Sequence, residues 1–330
     1  MIPSRNVSFV LTAILLAALG QSRAFGQQPE AVLEVKRQAQ STYGDIKATL
    51  GVVPEFMRAV PEEAITGAWQ EMKKIQLSRD TAISPKNKEL IGLAVASQIP
   101  CSYCVAFHTA SARFNGASDQ EIKEAVATAA VSRHWSALLE GADLNQKQFN
   151  KDIEKMGRRM ESSPRAQAGT AAPGSIDRPM SRDSALKEIR AGLGFVPEFL
   201  SALPDDALAA AWSEYKGLYQ SHSAEIPLKI RSLISLAVSA QVPSSFSVKM
   251  DRRFARAAKA DARELKEAVA MAAVTRHWSA VLNGMQIDEQ QFRGEMQQMF
   301  QHLRQKSPPA QQLGGEVPAT GSSPSDDNSD

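Results

Sequence analysis

Cys101 and Cys104 are the only cysteines in the chain, and they stand as C-x-x-C. His108 follows Cys104 by four residues, and Glu89 precedes Cys101 by twelve. If the segment after Pro100 is helical, Cys101, Cys104 and His108 share one face, because residues three and four apart are neighbours on a helix. Cys101 then falls in the first turn, where free backbone N–H groups and the helix dipole favour a thiolate. Two thiols, an imidazole and a carboxylate can together move electrons and protons.

Three chemistries suit such a set. In a redox pair, one thiolate attacks and the other resolves the sulfenic acid or mixed disulfide that results, with His108 and Glu89 handling protons. In a zinc site four ligands are wanted, and the chain has no second C-x-x-C or C-x-x-H to complete them. Only a mixed set of Cys101, Cys104, His108 and Glu89 would serve, and neither a metal nor another cofactor is assigned. In a structural disulfide, the loop closed between Cys101 and Cys104 is so short that it would constrain the unfolded chain little.

The elements that must position these residues read as helices. Glu30 to Leu50 carries Ala31, Val32, Val35 and Ala39 at helical spacing. Pro61 to Gln76 opens with Pro-Glu-Glu, a favourable first turn. Ser84 and Pro85 read as N-cap and N1 of the next helix, with Leu90, Ile91, Leu93, Ala94 and Val95 inside it and Pro100 as its end. A helix over Ser102 to Asn115 follows, with Gly116 as the C′ residue. Ser118-Asp119-Gln120-Glu121 is a capping box that opens an Ala-rich helix to Glu140, stopped by Gly141. No alternating strand pattern exceeds a few residues, so the predicted class is all-α.

The chain repeats itself at an offset of 143. Gly51-Val52-Val53-Pro54-Glu55-Phe56 returns as Gly194-Phe195-Val196-Pro197-Glu198-Phe199, and Trp69 returns as Trp212. Lys86 to Gly141 aligns without a gap on Lys229 to Gly284, with 29 of 56 positions identical. The copies part where the chemistry sits: Glu89, Cys101, Cys104 and His108 become Ser232, Ser244, Ser247 and Asp251. All four change together while the apolar framework stays, which marks them as one functional unit. The second copy reads as a scaffold.

The first residues read as a signal peptide, with Arg5, an apolar run from Val7 to Leu19 and small residues at Ser22-Arg23-Ala24 or Ala24-Phe25-Gly26 for cleavage. The expected location is therefore periplasmic or secreted, where paired thiols tend to oxidise. No other segment is apolar enough to cross a membrane. A net charge of +2, with 43% hydrophobic and 22% charged residues, describes a globular protein without a nucleic-acid footprint. The predicted organisation is a signal peptide over 1–26, a helical domain with the site over 27–159, a flexible linker over 160–182, a degenerate repeat over 183–304 and a disordered tail over 305–330.

Glu-x11-Cys-x2-Cys-x3-His within an Ala-rich helical segment resembles the AhpD-like superfamily, which includes alkylhydroperoxidase AhpD and the carboxymuconolactone decarboxylase family. The Gly-x-Val-Pro-x-Phe openings at Gly51 and Gly194 are also similar to its peroxidase-related members. The resemblance implies two tandem AhpD-like helical domains and a thiol-dependent hydroperoxide reductase. It implies that Cys104 attacks the peroxide, Cys101 resolves, and Glu89 with His108 relays protons. The chemistry of the residues alone leaves the attacking sulfur open. The superfamily's alkylhydroperoxidase is cytoplasmic and re-reduced by a lipoylated partner, so an exported chain calls for another thiol reductant. By the same resemblance a fused pair mimics a family dimer with one live site, and three chains would build a six-domain ring. A periplasmic thiol–disulfide oxidoreductase and a non-catalytic helical assembly module are the alternatives.

Outside the set, His134 and His277 recur in the same Arg-His-Trp-Ser-Ala context and read as packing or helix–helix residues. Trp69, Trp135, Trp212 and Trp278 read as core or interface aromatics. Tyr103 reads either as a pocket-mouth residue or as packing matched by Phe246. Lys249, Arg252, Arg253 and Arg256 read as a solvated helix face.

Overall fold

The computed structural model describes residues 28–162 and 180–306, apart from positions 202, 222 and 243. The leader at 1–26, the linker core at 163–179 and the tail beyond 306 lie outside the described residues. Among the described residues all regular structure is helical, as the sequence predicts. The first repeat consists of α1 (Gln28–Leu50), α2 (Glu55–Arg58), α3 (Glu62–Glu71), a π-helical turn (Met72–Leu77), α4 (Pro85–Ala96), α5 (Ser102–Phe114), α6 (Asp119–Gly141) and α7 (Gln146–Ser162). The second consists of α8 (Arg182–Leu193), α9 (Glu198–Ser201), α10 (Asp205–Tyr219), α11 (Leu228–Ser239), α12 (Ser245–Ala257), α13 (Ala262–Gly284) and α14 (Glu289–Lys306).

The helix starts follow the capping residues. Ser84 accepts from the Asn87 N–H with Pro85 at N1, and the Ser118–Glu121 capping box opens α6. Asp261 and Glu264 repeat that box at the start of α13. Three ends differ from expectation. Helix α4 stops at Ala96, ahead of Pro100; the Ile99 N–H turns back to Ala96 O, since a residue before proline is driven out of the α region. Gly141 stays helical, and the left-handed position after α6 is Asp143 at φ 47°, mirrored by Gln286 at φ 51°. The helix from Pro61 does not run uniformly to Gln76 but passes into the π-turn at Met72, whereas its counterpart α10 stays α-helical to Tyr219.

Helices α4 and α11 pack on each other at the centre, flanked by α6 and α13. Leu90, Ile91, Ala94 and Val95 meet Leu233, Ile234, Ala237 and Val238 there in one buried cluster. The two outer cores are interleaved. Met57 and Trp69 of the first repeat share a core with Trp278, Phe292 and Phe300 of the second. Phe149, Ile153 and Met156 of α7 share the other with Ile189, Phe199 and Trp212. The last helix of each repeat thus packs on the opposite repeat, and each large buried side chain stabilises that exchange by about 1.5–3 kcal/mol.

Polar contacts follow the same offset. Glu267 of α13 accepts from the Ala82 and Ile83 N–H groups ahead of α4, and Glu124 of α6 accepts from Glu225 and Ile226 ahead of α11. Trp69 donates to Asp45 at 2.7 Å, and Trp212 to Glu188 at 3.1 Å. Arg253 is not part of a solvated face: it binds Glu154 and Glu161 and ties α12 to α7. His134 and His277 are exposed, each edge-on to the tryptophan that follows it, rather than bridging helices. No helix among the described residues is long and apolar enough to cross a membrane.

Candidate active site

The four residues singled out by their spacing converge. Glu89 lies in the first turns of α4, Cys101 is the N-cap of α5, and Cys104 and His108 follow along α5. The antiparallel packing of α4 on α5 brings Glu89 to His108, and Glu89 Oε2 lies 2.7 Å from His108 Nδ1. Cys101 and Cys104 are joined as a disulfide, and Cys101 Sγ also accepts from the Cys104 N–H at 3.2 Å. That bond is the side-chain cap that the position of Cys101 calls for. Relative exposure is 2% for Cys101 and 4% for each of Cys104, Glu89 and His108, so the set is screened from bulk solvent.

Burying a carboxylate demands partners, and Glu89 has two. Besides His108 it accepts from Gln76 Nε2, at 3.2 Å to Oε1 and 3.4 Å to Oε2. Gln76 rides on the π-turn, a local widening of the helix that recurs at functional sites. Lys88, fully buried beside Glu89, donates from Nζ to Ile75 O at 2.9 Å and to Ser78 O, pinning the end of that turn to α4. Burial pushes the Lys88 ammonium below its usual range, with Glu89 acting against that. Gly92 makes room for the imidazole: a Cβ there would stand 2.4 Å from two atoms of the His108 ring.

The second repeat completes the site. Thr275 Oγ1 of α13 lies 3.4 Å from His108 Nε2. A small cavity of about 30 Å³ is lined by Cys104 and His108, by Phe56, Met72, Gln76 and Phe107, and by Thr275, Trp278, Leu282 and Phe292. It has room for a water molecule. Phe56 sits edge-on to Trp278 at 5.2 Å and closes one wall. Tyr103 does not line this cavity; its hydroxyl donates to Ile287 O and its ring packs edge-on to Phe292.

Spacing within one copy cannot reveal Gln76, Gly92 or Thr275. Comparison of the copies holds a signal for two of them, since Gln76 and Gly92 become Tyr219 and Ser235 alongside the four changes already noted. Thr275 becomes Ser132 at the same offset, a change too mild to stand out. The mixed four-ligand metal set is not assembled: the two sulfurs are bonded to each other, and among the described residues no group of three or more His, Cys, Asp or Glu is placed to hold a metal ion.

A model of the carboxymuconolactone decarboxylase family matches residues 63–144 and again residues 206–290, about half of the chain in total. The chain belongs to the carboxymuconolactone decarboxylase family. Both matched stretches of this AhpD-like member fall on corresponding helices, α3 to α6 and α10 to α13, with the two copies packed about α4 and α11. The superfamily contains decarboxylases and peroxidases. The chain is also similar to "Uncharacterized protein 4 in cox locus" of Paracoccus denitrificans, 33% identical over 89 residues that span 26% of this chain and 80% of that protein. No solved structure matches it.

Proposed function

We propose that this family member is a thiol-dependent hydroperoxide reductase, with Cys104 attacking, Cys101 resolving, and His108 with Glu89 carrying the proton. The observation that carries the reading is that Cys104 and His108 line one small cavity, with His108 backed by a buried carboxylate at 2.7 Å. A base held this way by an orienting carboxylate is the arrangement that activates a nucleophile.

In the reduced protein the Cys104 thiol gives its proton to His108 through the cavity, and Glu89 stabilises the imidazolium. The thiolate attacks the distal peroxide oxygen; the O–O bond breaks, Cys104 becomes a sulfenic acid, and the leaving alkoxide takes the proton from His108. Cys101 then attacks the Cys104 sulfur and expels water, leaving the disulfide. Two equivalents of a thiol reductant restore the pair and are oxidised to their own disulfide.

Burial of both sulfurs favours a small oxidant over a folded protein thiol, which would need direct contact with them. The leader read at 1–26 sets the reaction in an exported chain, whose reductant is a thiol donor of that compartment. The test is stopped-flow oxidation of the reduced protein by hydrogen peroxide and cumene hydroperoxide, with Cys104→Ser and Cys101→Ser alongside. Fast stoichiometric oxidation is expected, absent in Cys104→Ser and halting at a sulfenic acid in Cys101→Ser. A rate no greater than that of a free thiol overturns the reading.

A further inference from the structure

The place in the second repeat that corresponds to the thiol site is not filled in. The thiol-side cavity measures about 30 Å³, whereas its counterpart measures about 670 Å³. That volume is in the range of small-molecule binding sites. The correspondence is residue by residue: Phe56, Met72, Gln76 and His108 around the small cavity become Phe199, Tyr215, Tyr219 and Asp251 around the large one. The exchange that removes the thiol set also removes bulk. Glu89 and His108 give way to the smaller Ser232 and Asp251, both in the lining.

One wall differs in charge. In the first repeat, His302 of α14 packs so closely on Gly51 that a Cβ there would stand 2.6 Å from it. At the same offset α7 carries Arg159, and a Cβ on Gly194 would meet nothing within 4 Å. Arg159 instead lines the cavity and donates from Nε to Gly192 O at 3.2 Å. A carbonyl does not offset the charge of a guanidinium, and no carboxylate among the described residues pairs with Arg159. The donors on its terminal nitrogens are not used by Gly192, and their planar fork matches a carboxylate.

The other charges around the space cancel or are quenched. Lys216 pairs with Glu188. Burial pushes the Asp251 carboxyl up to about 7, so at pH 6 it holds its proton. One positive charge is left over, and it stands where the cavity opens: Arg159, Ala191 and Gly192 are exposed, whereas Ser232 and Asp251 are buried. The rest of the lining is largely apolar, with Met156, Met160, Met250 and Phe254 as pliable walls.

We propose that the cavity of the second repeat binds an organic monoanion with an apolar body, its carboxylate on Arg159 at the opening and its body among the methionines and aromatic rings inside. A cation at the rim and an apolar interior suit a ligand whose head stays wet while its body is buried. This assignment does not depend on the peroxide chemistry of the first repeat.

The test is calorimetric titration of the full chain at pH 6 with 2-naphthoate, 2-naphthylmethylammonium, 2-naphthol and acetate, on the wild type, Arg159→Gln and Arg159→Lys. The first two probes share a body and differ in the sign of the head; acetate has the head without the body. Saturable binding of 2-naphthoate is expected, about tenfold tighter than that of the ammonium probe, with no saturable binding of acetate. Arg159→Gln should weaken 2-naphthoate by about fivefold or more and leave 2-naphthol unchanged, which also reports that the cavity has folded. Arg159→Lys keeps the charge and should keep the preference for the anion, a comparison that stands whatever the glutamine variant does to folding. The assignment is overturned by no saturable 2-naphthoate binding, by equal or tighter binding of the ammonium probe, by acetate binding as well as 2-naphthoate, by indifference of 2-naphthoate to Arg159→Gln, or by loss of the anion preference in Arg159→Lys.

Discussion

Thr275 Oγ1 stands 3.4 Å from His108 Nε2, although the two residues are 167 positions apart. The repeat without cysteines therefore takes part in the thiol site. It contacts the one imidazole nitrogen that Glu89 leaves free.

Thr275→Val keeps the shape and removes the hydroxyl. Peroxide reaction of the reduced protein is expected to slow by about threefold to tenfold, with unfolding free energy changed by no more than about 1 kcal/mol. Stopped-flow rates beside urea denaturation check this. An unchanged rate would mean that the hydroxyl does not position the ring.

Glu89→Gln preserves volume and removes the charge that backs His108 at 2.7 Å. The rate of thiol oxidation by peroxide is expected to fall by about a hundredfold or more, the scale of losing general-base help when His108 is left without its orienting carboxylate. A mutant with wild-type rates would remove Glu89 from the mechanism.

Gly92→Ala adds one methyl group where the His108 ring lies 2.4 Å away. Either the ring or the helix must give, at about 1–3 kcal/mol of stability. Activity should drop by about tenfold or more because the bond to Glu89 is displaced, although Gly92 touches neither sulfur in the contacts described. Thermal melts and peroxide kinetics on the same sample read both effects.

Asp251→Asn reports on the second cavity through pH. Below about pH 3 the carboxyl is neutral in folded and unfolded chains alike, and its environment makes no difference. As pH rises, the unfolded chain ionises near 3.8 while the folded carboxyl holds its proton up to about 7. Folding is progressively disfavoured across that window, by about 4 kcal/mol once pH exceeds 7. The Asn variant escapes the penalty, so it should gain stability over the wild type at pH 8, by up to that amount, and gain nothing at pH 3. Urea unfolding at the two pH values decides; an equal gain at both would show that charge is not the cause.

The candidate set was legible because its members are local. Cys101, Cys104 and His108 sit on one helix, and Glu89 sits on the helix before it, joined by a short turn that dictates antiparallel packing. The helices themselves were legible from Ser84, Ser118 and Gly116, whose side chains or conformations end them in ways that few other residues can. Thr275, Trp278, Leu282 and Phe292 were not, because they arrive from half a chain away and look like ordinary helix and core residues in their own repeat. The π-turn under Gln76 was not either: Met72 to Leu77 is a sequence that an α-helix would accept, and the bonds that tie it to α4, from Lys88 to Ile75 O and Ser78 O and from Gln76 to Glu89, appear only in the folded chain. Arg253 misled for the opposite reason, since a basic stripe on α12 looks solvated until α7 is laid across it.

The exchange of α7 and α14 between the repeats bears on inheritance. In a pair of identical subunits, every substitution is made twice, once at each site, so a mutation that opens one pocket opens both. A single chain that carries both copies is released from that rule. The interlocked helices keep the two-fold frame, while Cys101, Cys104 and His108 stand at one address and Ser244, Ser247 and Asp251 at the other. One frame thus holds two differently lined spaces, each walled partly by the other repeat's helix.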